Sequence, residues 1–255
     1  MPISSSIAVD FPGRGYENHK GKGVGHQKRA EEEMADGHYT IRVTGVDHDN
    51  PTAVSQTSTP TTLADGSSVI TEVRQGSIST GADGLTLETD NNNGRLRYHT
   101  VLDSDQQVTL GDLDALNFDY IVHSSDRSDV IPVIRLVIDA DGNLATTHDR
   151  GELVFEWAYQ GFGAVTQGSL QHADLVGGDW VAWQRSNGQN WDQIANMTEF
   201  SDWADADGHT VVGGLTFNED SLVLGWSIAL GSGNGTGTMS IDNVQFAGVT
   251  TDFYG

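Results

Sequence analysis

The sequence has no cysteine, only three lysines and no long apolar run. Without cysteine it has neither a disulfide nor a thiolate metal site, and no thiol nucleophile. No window approaches the roughly 20 apolar residues of a membrane helix, so we expect no membrane insertion. The N-terminus lacks the charged start and continuous apolar core of a signal peptide. The sequence therefore predicts synthesis in the cytoplasm without an export signal.

Aspartate is abundant where lysine is scarce. The 255 residues include 36 acidic side chains against 13 basic ones, for a net charge of −23. Short hydrated carboxylates keep a protein soluble in concentrated salt, where charge repulsion is screened over about 3 Å at 1 M. The composition indicates a halophilic source, with an acidic marine or calcium-loaded secreted protein as the alternative. A body this acidic is not expected to bind nucleic acid.

Residues 1–37 differ from the rest of the chain and form a predicted N-terminal arm. The arm is rich in glycine, and a Lys-Arg pair followed by a glutamate run and Gly37 predicts one short helix at about residues 27–36. We expect the extended arm to hold the chain against further copies and other proteins; packing across its own domain is the alternative. The basic residues predicted to serve assembly are Arg14, Lys20, Lys22, Lys28 and Arg29.

From residue 38 onward, short runs alternate apolar and polar residues. Runs such as "HYTIRVTGV", "GRLRYHTVL" and "LVLGWSIAL" are separated by Asp-Gly, Asn-Gly or serine-rich breaks. The pattern predicts an all-β fold, a jelly-roll β-sandwich domain over residues 38–255 with the extended arm and its helix attached. One further helix is predicted within residues 197–208.

The segments that follow residue 110 resemble a known kind of domain. The order of "IPVIRLVIDADGN", "GGDWVAWQRSNGQNW" and "VLGWSIALGSGNGTGTMSIDNVQF" is similar to that in jelly-roll domains of extracellular bacterial and archaeal proteins, of the type used as carbohydrate-binding modules. The resemblance implies a structural calcium ion held in part by an acidic residue of the last strand, here Asp242. A plain surface aspartate is the alternative, and no other cofactor is expected.

The glycine-rich run of residues 231–237 poses the question of a phosphate loop. Neither register of its glycines matches the dinucleotide fingerprint, because residues 236 and 238 are threonines, and a strand follows where a phosphate-binding helix would begin. The run is therefore predicted to be a hairpin loop. The next strand changes its apolar phase, which predicts a bulge near Asp242. The preceding strand is predicted to form one apolar face from Leu222, Leu224, Trp226, Ile228 and Leu230.

Two glutamates of "GELVFEW" are the candidates for catalysis. Glu152 and Glu156 would lie on one strand face, about 13 Å apart at ~3.3 Å per residue. The segment resembles the catalytic strand of laminarinase-type glycoside hydrolases, but Val154 replaces the middle acid. The spacing also exceeds the roughly 5 Å of a retaining pair, so we expect no enzyme. The two "DADG" stretches, at residues 139–142 and 205–208, suggest calcium loops but lack EF-hand spacing. They are predicted to be turns that connect strands, with adventitious calcium binding as the alternative.

Four of the six tryptophans fall between residues 180 and 203. Exposed aromatic rings in such a group can stack on sugars, whereas buried ones fill and cap a core, and both interpretations stay open. The candidate glycan-binding residues are Trp183, Arg185, Asn187 and Trp191.

These features together predict a non-enzymatic structural or decorating virion protein of a virus with a halophilic host. It would form homo-oligomers and contact other virion proteins through residues 1–37, and its sandwich would touch host surface glycans. Virion proteins leave the cell when the host lyses. This would explain why a domain of an extracellular type has no export signal. The alternative is a carbohydrate-binding module of a secreted halophilic protein.

Overall fold

A computed structural model of the chain describes residues 60–146, 149–186, 195–210, 216–231 and 234–253, and three short strands nearer the N-terminus. Most of the predicted arm, including its helix, lies outside the described residues. The strands are β1 (Ala8–Val9), β2 (Ile41–Arg42), β3 (Gln56–Thr57), β4 (Thr61–Thr62), β5 (Ser68–Arg74), β6 (Gly76–Gly81), β7 (Gly84–Thr89), β8 (Arg95–Val101), β9 (Val108–Thr109), β10 (Leu116–Ser125), β11 (Val133–Asp139), β12 (Arg150–Phe155), β13 (Gln171–Asp174), β14 (Val181–Ser186), β15 (Ala195–Glu199), β16 (His209–Thr210), β17 (Thr216–Phe217), β18 (Leu222–Leu230), β19 (Gly237–Phe246) and β20 (Val249–Thr251).

Two antiparallel sheets form a sandwich. The larger sheet has the order β15-β14-β12-β11-β18-β8-β5-β3, with β4 beside β5 and β9 beside β18. The smaller sheet has the order β13-β10-β19-β7-β6, with β20 beside β19. Two further pairs of two-residue strands, β1 with β2 and β16 with β17, lie outside these sheets. The prediction of an all-β, jelly-roll-class sandwich is confirmed.

The main core lies between the two sheets. Strand β10 alternates buried and half-buried residues because every second side chain points inward from the smaller sheet. Each large apolar side chain buried here contributes about 1.5–3 kcal/mol relative to exposure. The larger sheet packs against the smaller one with side chains of β11, β12 and β18. Among these side chains are Ile134, Leu136, Leu153, Phe155, Trp226 and Ile228.

The opposite face of the larger sheet, which we call the outer face, is buried as well. Every residue of β11 and of β12 is buried, so these central strands show no alternation of burial. The outer face carries small apolar clusters, one of which contains Val133, Val154 and Trp183. It also carries charged side chains, and these form the first candidate site.

Two bulges decide which side chains reach which face. The register between β11 and β18 shifts after Val137, and Leu224 becomes the extra residue. Leu224 packs with Val137 in an outer-face cluster against which Leu222 also lies. The predicted single apolar face of β18 was therefore wrong for Leu222 and Leu224. The bulge predicted near Asp242 is confirmed, because the register between β10 and β19 shifts there and Asn243 has a φ of 50°.

Helical structure is short within the described residues. The helix predicted within residues 197–208 is a single turn, α1 (Phe200–Trp203), whose two aromatic residues are buried. The Trp203 indole Nε1 donates to the Ala182 carbonyl oxygen at 3.3 Å, which fixes the turn against β14. One 3-10 turn covers Trp157–Tyr159. No helix in the described part of the chain is long and apolar enough to cross a membrane.

Candidate functional site

A charged cluster lies on the outer face of the larger sheet. On this face the part of β18 beyond the bulge contributes small side chains between β8 and β11, including Ser227 and Ala229. Long side chains of the flanking strands can therefore reach across β18. The charged cluster consists of Glu72, Arg97, His99, Arg135 and Glu152, all buried.

Glu152 lies between two arginines of this cluster. Its Oε2 accepts a hydrogen bond from Arg135 Nη1 at 3.0 Å, and its Oε1 lies 3.6 Å from Arg97 Nη1. Two adjacent guanidinium groups favour the ionised carboxylate. A general acid needs the opposite, a carboxyl that holds its proton near neutral pH. The geometry therefore makes Glu152 an internal counterion.

Burial and the nearby arginines also shift the pKa values of His99 and Glu156. Burial, followed by the charge of Arg97, holds the pKa of His99 well below its usual range, so His99 is neutral near neutral pH. Burial raises the pKa of Glu156, while the charge of Arg135 opposes the rise. Glu152 and Glu156 thus differ in environment, but the acid that would stand between them is replaced by Val154.

The second candidate site is the aromatic turn, residues 156–163, which follows β12. Phe162 and Tyr159 are 44% and 39% exposed. The Phe162 ring packs edge-on against Trp157 and Trp180, with ring centroids 5.2 Å and 5.3 Å away. Tyr159 packs edge-on against Trp183 at 6.4 Å. The half-buried Trp157 and the buried Trp180 and Trp183 therefore support two exposed rings.

Hydrogen bonds hold the aromatic turn in one geometry. The Gln160 amide donates to the Val181 carbonyl oxygen at 2.9 Å and accepts from the Val181 N–H at 2.7 Å. The Trp157 indole Nε1 donates to the Gly163 carbonyl oxygen at 2.9 Å. A surface fixed in this way loses little conformational entropy when it binds a ligand.

A cavity is lined by residues that include Leu102, Trp226 and Phe246. Its volume is about 220 Å³. Asp65 and Asp105 also line it. The volume is smaller than the roughly 300 Å³ at which ligand pockets usually begin, so we place the candidate site at the aromatic turn.

The predicted glycan-binding residues are not all described. Trp183 lies on β14, is 4% exposed and packs with Val133 and Val154. Arg185 lies on the same strand, opposite Glu152 and toward the end of β14 that is remote from Val181. Asn187 and Trp191 lie outside the described residues, as do the predicted assembly residues of the arm. The site composed of Trp183, Arg185, Asn187 and Trp191 therefore stays a prediction.

Asp242 lies at the bulge of β19, where its Oδ1 accepts a hydrogen bond from the Phe253 N–H at 2.9 Å. This contact ties the C-terminal segment to the smaller sheet. The calcium role implied for Asp242 stays a prediction.

The glycine-rich hairpin between β18 and β19 is held by side chains of other segments. Asp126 accepts hydrogen bonds from the Thr236 N–H at 2.9 Å and from its hydroxyl at 3.1 Å. The Thr89 hydroxyl accepts from the Gly237 N–H at 3.0 Å. The loop amides that a phosphate would need therefore donate to side-chain oxygens, the Thr236 N–H to Asp126 and the Gly237 N–H to Thr89.

Sequence reasoning missed Tyr159 and Phe162 as candidate binding residues. The segment "EWAYQGFG" places three aromatic residues around two glycines. Both glycines adopt positive φ, 71° at Gly161 and 85° at Gly163, just after the 3-10 turn Trp157–Tyr159. The grouping of aromatic residues around two glycines was therefore visible in the sequence. The prediction instead used the tryptophan-rich segment that begins at residue 180.

No protein-family model and no curated protein matches the chain. Among solved structures, a loop-swap mutant of Xyn11A from Neocallimastix patriciarum is similar with a TM-score of 0.36 and 12% identity, covering 81% of this chain and 98% of that one. The family 11 xylanase from the same organism has a TM-score of 0.34 and 13% identity, covering 78% of this chain and 100% of that one. Likeness at this level carries no functional argument. The described sheets by themselves define a β-sandwich with a rigid, exposed aromatic turn.

Proposed function

We propose that the chain is a non-enzymatic β-sandwich that binds glycans, and that it serves as a structural or decorating virion protein of a virus with a halophilic host. The observation that carries glycan binding is the aromatic turn. Tyr159 and Phe162 present apolar rings to solvent on a support fixed by Gln160. The apolar faces of sugar rings pack on such side chains, and nearby polar groups orient the hydroxyls.

The chemistry of the charged cluster supports a non-enzymatic role. Glu152 is engaged with Arg97 and Arg135, and both guanidinium groups are buried. Binding through apolar rings also suits a halophile, because screening by molar salt weakens charge pairs and leaves apolar packing intact.

Affinity electrophoresis in 2 M NaCl tests glycan binding. The gels contain cellulose derivatives, laminarin, soluble chitin or glycopeptides from a haloarchaeal surface layer. We expect retardation in at least one gel, and a loss of affinity of at least tenfold for the variant Tyr159→Ala/Phe162→Ala. Tenfold corresponds to about 1.4 kcal/mol, a modest figure for two central aromatic contacts.

Leu170→Ala is the matched control, because Leu170 is an exposed apolar residue outside the turn, 67% exposed. It should bind like the wild type. Equal retardation of wild type and double variant would contradict a role of the turn in binding.

The proposed role as a virion protein is tested separately, through the oligomeric state. A mass measurement in molar salt should give a homo-oligomer, and the oligomer should dissociate when residues 1–37 are deleted. A glycan-binding monomer would instead favour the secreted carbohydrate-binding module.

A further inference from the structure

Three carboxylates converge between β11 and β12, in a segment that we call the acidic loop (residues 139–146 and 149). Asp139 is the last residue of β11, Asp141 lies in the loop, and Asp149 immediately precedes β12. One oxygen from each carboxylate lies within 4.8 Å of the other two. Oxygens that ligate one Ca²⁺ at about 2.4 Å are separated by at most twice that distance, so the three fit around a single ion.

Two of these carboxylates each have a buried oxygen without a donor. Asp139 Oδ2 accepts from Arg150 Nε at 2.9 Å, and Asp149 Oδ2 accepts from the Asp141 N–H at 3.3 Å. The remaining oxygens, Oδ1 of Asp139 and Oδ1 of Asp149, are buried and accept no hydrogen bond within the described structure. A buried acceptor left in this state lowers the stability of the folded chain, because it has lost its hydrogen bonds to water, and this is an energetic cost. A cation bound between the two carboxylates removes that cost.

The charge of the acidic loop matches a divalent ion. Three carboxylates with the single guanidinium of Arg150 leave a formal charge of −2.

The rest of the loop holds the ligands in place. Asp141 Oδ1 accepts from the Asn143 N–H at 2.8 Å and from the Thr146 hydroxyl at 3.0 Å. Arg150 Nη2 donates to the Leu144 carbonyl oxygen at 3.1 Å. The turn predicted for residues 139–142 is thus present, and it is ordered by its own polar side chains.

We propose that the acidic loop binds one calcium ion through Asp139, Asp141 and Asp149. Carboxylate oxygens are the donors that Ca²⁺ prefers, and the ion lies where the outer face of the larger sheet ends. The site would tie the two central strands, β11 and β12, together at that end. This inference does not depend on glycan binding.

The second "DADG" stretch provides an internal comparison. The Asp205 carbonyl oxygen accepts from the N–H groups of Gly208 and Glu219, as in an ordinary turn. Among the described residues, only Asp139, Asp141 and Asp149 form a group of three potential metal ligands. The two tetrapeptides are identical in sequence but differ in their capacity to bind a cation, because only the first has a third carboxylate, Asp149, opposite it.

Calorimetry in 2 M NaCl with protein stripped by EDTA tests the site, with CaCl₂ as the titrant. We expect one Ca²⁺ per chain and a rise in Tm of at least about 5 °C at saturation. Asp149→Asn should lose the binding heat and the Tm shift. In EDTA it should be at least as stable as the wild type, because the change removes a buried charge.

Asp205→Asn is the control and should respond to Ca²⁺ like the wild type. A wild type that binds no Ca²⁺ stoichiometrically, or an Asp149→Asn variant that binds it as tightly, would overturn the proposal. Equal affinity for Mg²⁺ would overturn the assignment to calcium, since Mg²⁺ requires shorter, octahedral ligand distances.

Discussion

Replacing Glu152 by glutamine tests whether the charged cluster stabilises the larger sheet from within. The change keeps the shape of the side chain and removes its charge. Arg97 and Arg135 then remain buried without the carboxylate between them; their side chains are 5% and 6% exposed. Removing one partner of a buried ion pair typically costs about 3–5 kcal/mol, because the remaining charge stays desolvated.

For a chain of this length that loss corresponds to a fall in Tm of about 10 °C. Thermal unfolding followed by circular dichroism in 0.5 M and 3 M KCl measures it. The fall should be similar at both salt concentrations, because buried pairs are screened much less than surface pairs.

Asp129→Asn is the matched control. It breaks the exposed pair in which Arg127 donates to Asp129 at 2.9 Å and 2.7 Å. Exposed pairs contribute at most about 1 kcal/mol, so the control should unfold close to the wild type. A Glu152→Gln variant as stable as this control would refute the reasoning and show that water reaches the cluster. The variant Arg97→Met/Arg135→Met/Glu152→Leu should recover most of the lost stability, because it removes the carboxylate of Glu152 together with both guanidinium groups that pair with it.

Two further predictions concern His99 and the glycine-rich hairpin. His99 is neutral in the folded protein because its pKa is lowered, whereas the unfolded chain binds a proton below about pH 6.5, so His99 reduces stability as the pH falls. His99→Leu should therefore gain stability over the wild type, by about 2 kcal/mol more at pH 5 than at pH 7.5 in guanidinium unfolding; an equal gap at both values would contradict this. Gly235 has a φ of 78°, and a Cβ there would clash with the Asp126 carboxylate, whereas a Cβ at Gly231 would meet nothing closer than 3.8 Å. Gly235→Ala should lower the Tm by several degrees, whereas Gly231→Ala should leave it nearly unchanged. Equal Tm values for the two variants would contradict the close packing of Asp126 against Gly235.

Local patterns were sufficient for the strands and for one bulge. Alternating runs marked β8, β10 and β18, because successive side chains of a strand point to opposite faces of the sheet. The phase change between Ile241 and Val244 was sufficient to predict the bulge at Asp242. The same reasoning was wrong for Leu222 and Leu224, since the bulge at Leu224 interrupts an alternation that looks perfect in the sequence.

The candidate sites depended on contacts between distant segments. The aromatic turn depends on Trp180 and Val181, which lie about 20 residues beyond it and hold Phe162 and Gln160 in place. The two glutamates could be placed on one strand from spacing, but the arginines beside Glu152 come from β8 and β11. Periodicity reports the face on which a side chain lies, and it contains no information on the strand that packs next to it.

By itself the sequence determined the acidic character of the chain, its β-rich architecture and the hairpin nature of the glycine run. These properties depend on composition and short-range alternation, which hold whatever the strand order is. Only the tertiary structure decided that Glu152 is an ion-paired counterion, that Tyr159 and Phe162 are exposed, and that one of two "DADG" turns meets a third carboxylate. Each of these depends on side chains brought within a few ångströms by strand pairing, and strand pairing is a property of the whole sheet.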